Sequence, residues 1–263
     1  KSEKGAKMHW INKILETERQ SHLAFFGKEF DLSAFQKTLE KHGEQKIKEW
    51  ATLLLEPHFL PKIAMDRKAE FPGWQVRPDN HAYEVVYQGK VLRKTNGQIV
   101  PDKKAHWLLG ETVLIDIRLK PAYQDGKQMW SDDIFLRPII GRIRTQEVIP
   151  RIDYGPWESR FGVSADEWEN HVKPALAQDQ RFTGLSWRLE RAIEGNIIPQ
   201  LYSDMPRKDN GQTDTWVWYE EYFGGASSRL GGGGSGCGGL ADFGWGWSDG
   251  RWRRRSFCPL AVL

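Results

Sequence analysis

The chain closes on "RLGGGGSGCGGLADFGWGWSDGRWRRRSFCPLAVL", from Arg229 to Leu263, and this stretch narrows the possible folds more than any other. Glycine interrupts helices and weakens strands, so no ordinary core element is written this way. A flexible linker would lack the tryptophans, and a strand buried on both faces would lack the arginines. The apolar ending "PLAVL" has the character of a terminal strand locked into a fold. The Gly/Trp/Arg segment before it then reads as surface loops held on a rigid body.

Composition supports a folded body. With 39% hydrophobic and 12% aromatic residues, the chain can bury a core, as one large domain or two. Thirteen tryptophans favour a binding surface, since indole combines large contact area with a polar N–H. A net charge of +3 does not by itself imply nucleic acid. Cys237 and Cys258 are the only cysteines, which excludes a disulfide-dense scaffold and any Cys₄ or Cys₃His zinc site. No apolar run reaches the roughly 18 residues of a membrane span, and "KSEKGAKMHW" lacks signal-peptide character. The default expectation is a cytoplasmic location, with export left open.

The first 60 or so residues have helical periodicity. Ile11, Ile14 and Leu15 share a face; Leu32, Phe35 and Leu39 follow a possible N-cap at Asp31. Ile47, Trp50, Leu53 and Leu54 resume the pattern past Gly43, and Pro57 and Pro61 are read as its stop. This predicts a helical region over 1–70 and a second domain over 71–263. "AYEVVYQGKVLRKTNGQIV" reads as short strands, with turns at Gln88-Gly89 and Asn96-Gly97. From Glu111, "ETVLIDIRLKP" alternates as a half-exposed strand. Ser164 to Glu167 form a capping box before a Trp168, Val172, Leu176 stripe. Leu189, Ile193 and Ile197 predict another helix ending at Pro199, and "TWVWYEEYF" a strand. The order is α+β.

Catalytic signatures fail on this chain. The run Gly231 to Gly236 satisfies G-x-G-x-x-G, but "CGGLADFGWG" cannot supply the helix that must follow. A nucleophile elbow around Ser235 has Cys237 where it needs glycine. His9, His22, His42, His58, His81, His106 and His171 show no metal-ligand spacing. Asp116, Arg118 and Lys120 put a fixed positive charge where a nuclease needs an acidic ligand, so an ion pair is the expected role. The expectation is no catalysis, no metal and no cofactor.

Arg229-Leu230, Gly232-Gly233, Ser235, "GGLA" (Gly238 to Ala241) and "RSFCPLAVL" resemble the closing segment of variable proteins of diversity-generating retroelements. The likeness is to the type found in candidate-phyla bacteria, and "VLIDIRLKP", "SRFGVSADEWENHVKPAL", "RLERAIEGNIIPQLY" and "TWVWYEEYF" extend it over about residues 60 to 263. Cys258 departs from the pattern, which has arginine there. The resemblance implies a C-type-lectin fold akin to the formylglycine-generating enzyme, behind the helical N-terminal region. It also implies a C-terminal variable region, about 229–258, rewritten at template adenines and displayed as a ligand-binding surface. The absence of Asn and Lys from Gly211 to Leu263 agrees with loss of adenine-rich codons.

By position, the resemblance assigns ligand binding to Gly231, Gly234, Gly236, Cys237, Asp242, Phe243, Gly244, Gly246, Asp249, Gly250, Arg251, Arg253 and Arg254. Trp245, Trp247 and Trp252 join them, either as binding residues or as packed scaffold. The expected partner is a macromolecule, foremost a protein. The rival is a single-stranded nucleic acid bound by the Arg/Trp tail, and an enzyme of the formylglycine-generating type ranks third.

Overall fold

A computed structural model of the chain describes residues 3–78, 83–118, 133–202, 215–233, 240 and 243–263. Two helices open it, α1 (Glu3–Phe26) and α2 (Ser33–Ala51), and the rest is mixed α+β built around two largely antiparallel sheets. Their apolar stripes, Ile11 and Leu15 on α1 and Phe35, Leu39, Ile47 and Trp50 on α2, are buried in one core with Trp168, Trp218 and Phe257. Gly43 adopts φ 80°, a kink inside α2 that glycine accommodates without a Cβ clash. Asp31 is not the N-cap: Leu32 holds that place, and the Asp31 carboxylate accepts from the Ser33 amide at 2.9 Å.

The helical region ends at Ala51, earlier than the prolines suggested. Pro57 and Pro61 lie inside strand β1 (Leu55–Ala64). That strand is at the sheet edge, where a missing N–H is tolerated. Although β1 precedes residue 70, it pairs with β4 (Trp107–Asp116), from Leu55↔Asp116 to Ala64↔Trp107.

Strand β10 (Pro259–Val262) lies between β4 and β5 (Ser186–Leu189), giving the order β1-β4-β10-β5. Leu260 is opposite Ile115 on one side and Arg188 on the other. Leu260 and Ala261 face two different cores and both are buried, which explains the uninterrupted apolar "PLAV".

The second sheet runs β3 (Gln98–Pro101), β2 (Val91–Thr95), β6 (Trp216–Phe223), β7 (Ser228–Gly232), β8 (Phe243–Trp247). A short β9 (Arg255–Phe257) pairs with β6 in parallel. The Asn96-Gly97 turn joins β2 and β3 with both residues at positive φ, as a type I′ hairpin requires. Glu84–Tyr87, expected as strand, is instead a helical turn, α3.

After α4 (Arg137–Thr145), the capping box at Ser164 forms as expected. It opens α5 (Ala165–Glu167), which continues through a π turn at Trp168–Val172 into α6 (Lys173–Gln178). Helix α7 (Ala192–Leu201) contains Pro199 rather than ending at it, and Leu189 belongs to β5. The expected half-exposed face of β4 is buried: Asp116 and Arg118 form an ion-pair network with Asp133 and Arg160. Burial opposes the charge on Asp116, but Arg160 and Arg118 outweigh it and hold the carboxyl near 2. Lys120 lies outside the described residues.

Candidate functional site

From Phe243 onward the tail is a strand, a tight loop and two short strands. In β8 the pleat alternates glycine with aromatics, so the two kinds occupy opposite sheet faces. Phe243 is buried against Tyr83, with ring centroids 4.8 Å apart. Farther along the same face Trp245 and Trp247 emerge, 54% and 56% exposed, in a T-shaped pair at 6.0 Å. Phe223 on β6 lies 6.4 Å from Trp245.

On the other face, Gly244 and Gly246 leave room for side chains of β6 and β9. A Cβ on Gly244 would meet Trp216 at 3.6 Å, an ordinary contact. A Cβ on Gly246 would come within 2.6 Å of Arg255 Nη1. One on Gly231 would lie 2.9 Å from the Val217 carbonyl and 3.4 Å from the Arg255 guanidinium carbon. Two glycines therefore form a slot for the Arg255 side chain.

Indoles wall that slot. The Arg255 guanidinium carbon lies 4.1 Å from the Trp218 ring centroid, 5.3 Å from that of Trp216 and 5.5 Å from that of Trp252. Arg255 is 8% exposed, and its Nε and Nη1 are buried without a hydrogen-bond partner. Burial alone lowers its pKa, to about 10. The cavity above it holds about 570 Å³ and is lined by Trp216, Trp252, Arg251, Arg253, Arg254 and Arg255.

The loop carrying Arg251 to Arg254 is held in place. The Asp166 amide donates to the Ser248 carbonyl and the Ser248 amide to that of Ser227, each at 2.9 Å. Trp216 N–H donates to the Arg254 carbonyl at 2.8 Å. Arg251 Nε donates to Glu167 Oε1 at 2.7 Å, while the other oxygen of Glu167 accepts from the Ser164 amide in the capping box. A single carboxylate thus ties the loop to the start of α5. Arg253 lies over Tyr154 at 4.9 Å with Asp153 at 3.8 Å.

Of the positions assigned from sequence, Asp249, Arg251, Arg253, Arg254, Trp245, Trp247 and Trp252 are exposed. Gly244 and Gly250 are half-buried. Gly231, Gly246 and Phe243 are buried and present no side chain outward. Gly234, Gly236, Cys237 and Asp242 lie outside the described residues, and Cys258 is buried. Sequence reading missed Trp216, Trp218 and Arg255 as parts of this site. The alternation in "TWVWYEEYF", which puts both tryptophans of β6 on one face, was the available signal.

A second buried polar cluster also escaped notice, although Glu18 and His22 have i, i+4 spacing on α1. Glu18 lies 3.0 Å from His58 Nδ1 and 3.3 Å from His22 Nε2, and it accepts from Tyr202 Oη at 2.7 Å and the Phe59 amide at 2.8 Å. Burial opposes ionisation of both groups. Even so, the mutual attraction of Glu18 and His58 lowers the carboxyl to about 2 and raises the imidazole to about 9. Among the described residues no group of three His, Cys, Asp or Glu is arranged to hold a metal, and no helix is long and apolar enough to cross a membrane.

No known family model, curated protein or solved structure matches the chain.

Proposed function

We propose that this chain is a non-catalytic recognition protein. In this reading it has a C-type-lectin-type α+β fold and is the variable protein of a diversity-generating retroelement. The observation that carries it is the exposure of Trp245, Trp247 and Trp252 on backbone fixed to buried elements. Indoles standing half in solvent lose hydrophobic stabilisation unless a partner covers them. Backbone fixed in advance lowers the ordering cost of binding. Tryptophan and arginine are the residues that dominate binding at protein interfaces. The glycines between them keep the scaffold close-packed beneath.

Two experiments test this reading. Sequencing the flanking DNA should find a near-identical, adenine-rich copy of the segment encoding Gly231 to Arg254 beside a reverse-transcriptase gene. Panning a peptide library on the folded chain should yield ligands whose binding is lost in Trp245→Ala/Trp247→Ala. Ligands that bind only single-stranded DNA, with affinity falling steeply as salt rises, would favour the nucleic-acid reading instead.

A further inference from the structure

Among the described residues, the buried arginines are matched with acceptors, save one. Arg160 and Arg118 meet Asp116 and Asp133. Arg229 meets Glu169, Arg191 donates to the Trp107 and Lys104 carbonyls, and Arg144 to three carbonyls including Phe161. Among the described residues, Arg255 alone of the buried arginines makes no side-chain hydrogen bond or ion pair. Its environment is three indoles and two glycines. A desolvated charge left without a counter-charge destabilises the fold that contains it. Arg255 also lines the cavity at the tail loop and keeps 8% of its surface exposed.

We infer that Arg255 is an anion receptor at the floor of the Trp216–Trp252 cavity, and that its ligand is a carboxylate carried by an acidic peptide segment of a protein partner. This deepens the recognition reading and rests on it. A carboxylate seated on the guanidinium supplies the missing counter-charge through charge-assisted hydrogen bonds, in a site where indole walls limit competition from water. The rim favours a single carboxylate over a polyanionic backbone. Arg251 is already engaged by Glu167, and Arg253 faces Asp153. Phosphodiester binding calls for a continuous track of unengaged cations. Here acidic groups interrupt it.

The test uses the full chain and tryptophan fluorescence, with octaglutamate as probe and octaglutamine and the oligonucleotide dT8 as comparators. Octaglutamate should give a saturable change that octaglutamine does not. Arg255→Met should weaken octaglutamate at least about tenfold, the loss expected when a charge-assisted contact is removed. Arg255→Lys, which keeps the charge but not the planar fork, should fall between. The same Arg255→Met chain should melt at or above the wild-type temperature, because an uncompensated buried charge has been removed. Lys94→Met, an equal charge change on the exposed β2–β3 hairpin, should leave octaglutamate binding unchanged.

A lower melting temperature for Arg255→Met would make the residue structural and overturn the inference. So would octaglutamate binding indifferent to Arg255, absence of octaglutamate binding, or tighter Arg255-dependent binding of dT8. The recognition reading fails separately. Panned ligands that need Trp245 and Trp247 but ignore Arg255 would leave it standing while this inference falls. Arg255-dependent octaglutamate binding with no ligand needing the tryptophans would do the reverse.

Discussion

Arg255 and Trp218 stack at 4.1 Å, guanidinium carbon to indole centroid, on strands paired in parallel through Trp216↔Arg255 and Trp218↔Phe257. Trp218 anchors the pair, since its Nε1 donates to the Val163 carbonyl at 3.1 Å and its ring is fully buried. Stacking on an indole face partly offsets the desolvation of a cation but does not replace a counter-ion.

Arg160 is the internal contrast. It is buried between Asp116 and Asp133, and Arg160→Met would leave two carboxylates with Arg118 as their one remaining ion-pair partner among the described residues. We expect a cost of about 3–5 kcal/mol, the usual result of breaking a buried ion pair from one side. Urea unfolding of Arg160→Met checks it, and a loss below about 1 kcal/mol would contradict the description of this network.

Leu260 reports on the terminal strand. It is 1% exposed in a strand flanked by β4 and β5, so Leu260→Ala should cost about 2–5 kcal/mol. The tail loop should fold as before in the surviving native population. A near-neutral effect on the urea midpoint would mean that β10 is not locked into the sheet.

The β8 glycines should separate. Neither Gly244 nor Gly246 has positive φ, so backbone conformation admits serine at both. Gly244→Ser meets only the Trp216 ring at ordinary distance and should change stability by within about 0.5 kcal/mol. Gly246→Ser would push on Arg255 and should shift tryptophan fluorescence while weakening octaglutamate binding. Equal behaviour of the two variants would argue against the slot.

The loop arginines should separate too. Arg253 is exposed, with Asp153 only at 3.8 Å, and Arg253→Ser should change stability by within about 0.5 kcal/mol. Arg251→Ser removes the tie to Glu167 and should cost about 1 kcal/mol, the upper end for a partly exposed pair. Thermal melts of the two single variants decide it, and an Arg253 effect larger than that of Arg251 would contradict the pinned loop.

The Glu18–His58 pair sets a pH dependence. Glu18, lowered from 4.5 to about 2, contributes stability above pH 4.5 that is lost as pH falls toward 2. His58, raised from 6.5 to about 9, contributes stability below pH 6.5 that is lost as pH rises through 9. Both shifts express the same attraction and are not added. Wild type should therefore exceed His58→Gln most between about pH 4.5 and 6.5, with the gap narrowing by about pH 9.5. A gap constant across that range would exclude a charged His58.

What could be read from sequence followed from local chemistry. The capping box at Ser164, the Asn96-Gly97 hairpin and the apolar "PLAV" each carry their signal within a few residues. Pro57 misled because a proline stops a helix and also tolerates a sheet edge, and only the pairing partner tells which. The tail read as one surface because its composition is uniform. The pleat of β8 instead divides it, with Trp245 and Trp247 on one face and the Arg255 slot on the other. Glu18 with His58, and Arg255 with Trp216 and Trp218, are brought together by strand pairing and packing across long sequence separations, which no periodicity encodes.

Under the proposed function, the tail displays side chains for binding on a scaffold that folds without their help. The most direct test is the variant Trp245→Ala/Trp247→Ala/Trp252→Ala, melted and then assayed against peptides panned on the wild-type chain. The expected result is a melting temperature within a few degrees of wild type, because all three indoles are about half exposed, and loss of peptide binding by at least about a hundredfold, as for interface anchors. A chain that unfolds, or one that keeps wild-type affinity for those peptides, would contradict it.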